Sequence, residues 1–140
     1  MSVPSPRPRR AHDSEATREA LMAAGAELFA EHGYDGVTVA ALAQRAGANK
    51  ALISYHFGGK SGLYAAIVKT TFEAVAAEMR GLREERRPAD EALRACVRLI
   101  GQMVTRRPSL PRMLLREILS GGERLPDEVL PHFLLSLIHI

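Results

Sequence analysis

The chain has 140 residues, 46% of them hydrophobic, and a formal net charge of +3. That is enough apolar material for one packed core, or two small helical ones, and for nothing larger. No apolar run reaches the roughly 18 residues of a membrane span. The basic, Pro-rich start lacks the apolar stretch of a secretory signal, so neither insertion nor export is indicated and a cytoplasmic location is expected. A single Cys excludes an internal disulfide. Cys96 sits among Leu93, Val97 and Ile100 at helical spacing and reads as a small buried hydrophobe. The basic balance suits an anionic partner, although a solvated surface can be equally basic.

Residues 1–13 open with MSVPSPRPRRAH, three prolines with Arg7, Arg9 and Arg10 and almost nothing to bury, which predicts a flexible basic arm. From Ser14 the apolar spacing changes, and Leu21, Ala24, Leu28, Phe29 and His32 recur at steps of three and four until Gly33, giving a first helix. Thr38 stands as an N-cap before a short second helix with Val39, Leu42, Ala43 and Ala46 on one stripe and Gly47 past its end. A third helix opens at Asn49, carries Ile53 and Phe57 four residues apart, and breaks at Gly58-Gly59. Two short helices about a tight Gly turn form a helix-turn-helix pattern. A longer fourth helix keeps its stripe through Leu63, Ile67, Phe72 and Met79 towards Pro88. Further helices are expected over about Asp90–Thr105 and Leu110–Leu119, the last ended by Gly121-Gly122. No strand-like alternation, repeat or heptad series is present, so the fold class is all-α.

On a wheel of about 100° per residue, Ile53 and Phe57 share one side of the third helix. Ala51, Leu52 and Tyr55 centre on the other, with Lys50, Ser54 and His56 on the shoulders. A solvated helix face usually carries Glu and Lys, whereas this one has small, apolar and aromatic groups, one cation and no carboxylate. A helix entering a DNA major groove needs that mixture: no anion facing phosphates, close approach, an apolar contact for a thymine methyl, and donors for base edges. The competing reading is a helical protein-interaction module in which Leu52 and Tyr55 cover a partner helix.

The triplet Gly59-Lys60-Ser61 resembles the end of a nucleotide-binding phosphate loop. That loop needs a Gly where Ser54 stands, and it must come after a β-strand rather than the helical KALISYHF. Lys60 and the amides of residues 60–62 nonetheless open a helix, where a backbone phosphate could sit.

The ordered series Thr38-Val39, Leu42-Ala43, Ala46-Gly47, Ile53, Tyr55-His56-Phe57, Lys60 and Leu63 resembles the N-terminal DNA-binding domain of the TetR family of bacterial transcription regulators. The resemblance covers residues 14–75. It implies a three-helix domain whose third helix reads DNA, a long fourth helix leading into a C-terminal helical domain, and a homodimer on a near-palindromic operator. Carried over by residue, it makes Lys50, Ala51, Leu52 and Ser54 base-facing and Thr38, Tyr55, His56 and Lys60 mainly phosphate contacts. Ser54 stands where the family often has an aromatic residue, and Ala40 where some members have a base-reading Arg. Lys50 is thereby left as the strong donor for a base, with guanine O6 and N7 its preferred target.

No catalytic constellation accompanies these residues, which argues against an enzyme. The five histidines have no partner at metal spacing, so neither a metal nor a cofactor is expected. Residues 76–140 are read as a partial C-terminal helical regulatory domain, too short for a whole effector pocket and dimer interface. The resemblance implies an unknown small-molecule effector, and Met79, Met103 and Met113 with Leu99 and Leu114 are either its lining or simple core, core being favoured. The chain ends in LLSLIHI, an uncapped apolar run, and Leu135–Ile140 is what one frame of a sequencing adapter encodes, so an artificial terminus is expected there.

Overall fold

The computed structural model describes residues 9–106, 108–124 and 131, with side-chain environments from Asp13 onward. Most of the expected arm, and the end segment Leu135–Ile140, lie outside the described residues. Those residues form six helices: α1 Arg9–His32, α2 Val39–Ala46, α3 Lys50–Phe57, α4 Lys60–Glu84, α5 Ala89–Arg106 and α6 Ser109–Leu119. The first helix starts five residues earlier than the composition of the arm suggested. Pro8 is the last residue incompatible with a helix interior, and Arg9 to Asp13 all tolerate one.

The short connections are set by their residues. The Thr38 hydroxyl accepts from the Ala41 N–H at 3.1 Å and fixes the start of α2. Gly47 ends it in the left-handed region at φ 63°, with the Ala48 N–H donating to the Ala43 carbonyl at 2.9 Å. Asn49 Oδ1 then accepts from the Ala51 N–H at 2.9 Å and starts α3. These bonds satisfy orphan amides and carbonyls that a turn this tight would otherwise leave open.

One core joins most of these helices. Leu21, Leu28 and Phe29 of α1, Leu42 of α2, Ile53 of α3, Leu63, Ile67 and Val68 of α4, and Met113 of α6 are buried together. Gly25 lets α1 and α4 approach closely, since a Cβ there would lie 2.7 Å from Ile67 Cδ1. His32, placed on the inner stripe by its spacing, is exposed at the end of α1. α4 runs without interruption past residue 75, and α6 returns to pack on α1, so the helix-turn-helix segment and α6 share this core.

α5 departs from its expected packing. Ala95 and Leu99 are buried, while Leu93, Val97 and Ile100 are exposed, so the stripe around Cys96 is only half covered among the described residues. Cys96 itself is half-buried, and its Sγ–H donates to Met79 Sδ at 3.5 Å. Met113 joins the core against α1, whereas Met79 meets α5, so these methionines are divided between two packing sites. No described helix is long and apolar enough to cross a membrane.

Candidate nucleic-acid interface

The inward anchor of α3 is Ile53, fully buried, with Phe57 half-buried one turn later beneath the Arg18 guanidinium, 5.2 Å from the ring centroid. That anchoring turns Lys50, Ala51, Ser54 and Tyr55 outward, and all of them are exposed. Tyr55 is 78% exposed, with its ring edge-on to His56 at 5.0 Å. The ring is thus open to solvent on a helix that carries no carboxylate. Thr38 is exposed at the entry of α2 and His56 is half-buried at the end of α3. Between Asp35 and Glu73 the sequence has no carboxylate, while Arg45, Lys50, Lys60 and Lys69 fall in that interval. Arg45 is neutralised at 2.8 Å by Glu27 of α1.

Two of the expected contact residues lie elsewhere. Leu52 is half-buried and packed against the core rather than centred on the outer face. Lys60 points back into the protein. Its Nζ donates to the Tyr34 carbonyl at 3.0 Å and to the Val37 carbonyl at 2.9 Å, and lies 4.2 Å from the Tyr34 ring centroid. Two of its three N–H donors are therefore engaged by the loop between α1 and α2, and the ammonium serves as a strut rather than a phosphate ligand. The start of α4 beside it has no side-chain cap, so its first amides have no side-chain acceptor there.

The approach of α4 to α3 depends on Gly62. A Cβ there would fall on the Phe57 carbonyl oxygen, far inside van der Waals contact. Neither this glycine nor the Lys60 strut stands out in the sequence; a Gly in the first turn of an otherwise apolar helix is the available signal for the first. Among the described residues no cluster of His, Cys, Asp or Glu could hold a metal.

A capped short helix, a left-handed Gly turn and a second short helix with an exposed, carboxylate-free face define the helix-turn-helix class of DNA-binding module. Residues 21–67 match the sequence model of the bacterial regulatory proteins of the tetR family. Over those residues the chain is similar to that family. It is 26% identical over 121 residues to the HTH-type transcriptional regulator RutR of Escherichia coli strain K12, covering 86% of this chain and 57% of RutR. It is 36% identical over 53 residues to the HTH-type transcriptional repressor AcnR of Corynebacterium glutamicum, covering 38% of this chain and 28% of AcnR. A solved structure of a HlyIIR mutant superposes with a TM-score of 0.70 at 26% identity, over 88% of this chain and 66% of the other. The chain thus spans little more than half the length of RutR.

Proposed function

We propose that the chain is a sequence-specific, DNA-binding transcription regulator of the cytoplasm, acting as a homodimer on a near-palindromic operator. It represses by occupying a promoter until a small-molecule effector changes the separation of the two reading heads. The observation that carries this reading is the outward face of α3: Lys50, Ala51, Ser54 and Tyr55 exposed around a buried Ile53, with no carboxylate beside them. Lys50 would donate to guanine O6 and N7, and Ala51 and Ser54 would lie against base edges. Thr38, Tyr55, His56 and the uncapped first amides of α4 would hold phosphates and set the register. The repressor role is supported by the likeness to AcnR, a transcriptional repressor.

Selection of bound sequences from a random DNA pool, and then titration of the winner across salt concentrations, tests this. The expected result is an enriched palindromic motif and a steep fall in affinity with salt, with a log–log slope of about −0.9 per phosphate contacted. No enrichment, or binding indifferent to salt, would remove DNA as the partner.

A further inference from the structure

Tyr34, in the loop between α1 and α2, is approached by cations from two distant parts of the chain. Lys60 Nζ lies 4.2 Å from its ring centroid and Arg124 Cζ lies 5.0 Å from it. Lys60 belongs to the reading head. Arg124 belongs to the turn after α6, where its guanidinium also meets the next loop residue, Asp35, at 2.9 Å. The backbone N–H of Arg124 donates to Glu117 Oε1 at 2.9 Å, and Glu117 Oε2 accepts from the Tyr64 hydroxyl at 2.5 Å. Tyr64 in turn sets its ring edge-on to Tyr34 at 5.2 Å. Glu117 is 3% exposed although it is a carboxylate on an otherwise amphipathic helix. Burying such a group is costly unless its oxygens keep their donors, so losing either hydrogen bond should be felt by the whole arrangement.

The loop held in this way leads directly into the N-cap of α2. Val37 is buried, its carbonyl accepts from Lys60, and the next residue is Thr38. A shift of the α6 end would therefore reach the entry of α2 through a short, unbroken chain of contacts. We propose that the turn after α6 is a latch on the α1–α2 loop. Glu117 and Arg124 hold Tyr64, Tyr34 and Asp35, and with the Lys60 strut they fix the start of α2, and thereby the affinity of the reading head for DNA. The DNA half of this inference rests on the function proposed above; the mechanical half does not.

Hydrogen exchange of the free full chain tests the mechanical half, comparing the unaltered protein with Arg124→Ala and with the milder Tyr64→Phe, which keeps the ring. Leu99→Ala on α5 is the control, because it removes buried apolar contact without touching the loop. The expected result is exchange at the Val37, Ala41 and Leu42 amides at least about fivefold faster in both latch variants and unchanged in the control. Affinity for the selected DNA should fall by a similar factor with its salt slope unaltered, since no phosphate contact is lost. Unchanged exchange at these amides, or an equal change in Leu99→Ala, overturns the latch. Faster exchange with unaltered affinity overturns its control of DNA binding. An unaltered protein that selects no DNA overturns the proposed function instead, and the exchange result still decides the mechanical link.

Discussion

Replacing Lys60 by Met removes the ammonium while keeping most of the apolar stem, and separates two roles that the residue could have at the mouth of α4. In the structure the ammonium donates to two loop carbonyls, Tyr34 at 3.0 Å and Val37 at 2.9 Å, in a half-buried setting. Hydrogen bonds from a charged donor contribute roughly 1.5–3 kcal/mol each. The contact with the Tyr34 ring adds about 0.5–1 kcal/mol, since the site is not dry. Water can replace part of this once the ammonium is gone, so the whole change should cost about 2–4 kcal/mol, less than the simple sum. Urea unfolding should show this as a lower midpoint at constant slope. Affinity for DNA should drop because the entry of α2 loosens, but the salt slope should stay where it was. A phosphate ligand predicts the reverse pattern, little effect on stability and a slope smaller by about 0.9. That second pattern would refute the strut.

Three further outcomes rest on single residues. Lys50→Ala should relax preference at one base pair at a cost of roughly 1–3 kcal/mol, measured on matched and mutated operators; equal losses on every sequence would reject a base-reading role. Gly62→Ala should destabilise the chain by at least about 1–3 kcal/mol in thermal or urea unfolding, because the added methyl meets the rigid Phe57 carbonyl; an unchanged melt would show that α3 and α4 can separate freely. The Tyr64 hydroxyl is pushed up from its ordinary 10.0, first by burial, then by its hydrogen bond to Glu117 and the charge of that carboxylate, with Arg124 opposing. The folded chain keeps this proton where the unfolded chain loses it. The stability due to Tyr64 is therefore whole below a pH of about 10 and declines as the pH rises above it. Unfolding from about pH 8 to about pH 11 should show this alkaline loss to be smaller in Tyr64→Phe, and an identical loss in both proteins would contradict it.

Much of the fold is local and legible from the residues. Thr38 is a cap in the sequence and a cap in the structure, Asn49, where the sequence opens the third helix, caps it, Gly47 and Gly58 end α2 and α3 with φ at 63° and 76°, and the apolar spacing places Ile53 inward. Those decisions depend on side chains a few residues apart, which is the range a sequence pattern can report. The outer face of Lys50, Ala51, Ser54 and Tyr55 comes from the same helical period and the lack of carboxylates. Even a position centred on that face is not secure, since the wheel gives an angle but not what stands beside it. Leu52 found the core at that angle, and Lys60 found two carbonyls.

What the sequence determined alone is the helix-turn-helix itself, because caps, glycine turns and helical period are short-range properties of the chain. The tertiary structure decided how this unit is held. Tyr34 and Lys60 are 26 positions apart, Tyr64 and Glu117 are 53 apart, and Asp35 and Arg124 are 89 apart. No periodicity links such positions; the packing of α4 and of α6 against α1 makes them neighbours. A buried carboxylate has no signature in a sequence either, because Glu117 looks like any charged helix residue until its donors arrive from elsewhere in the fold.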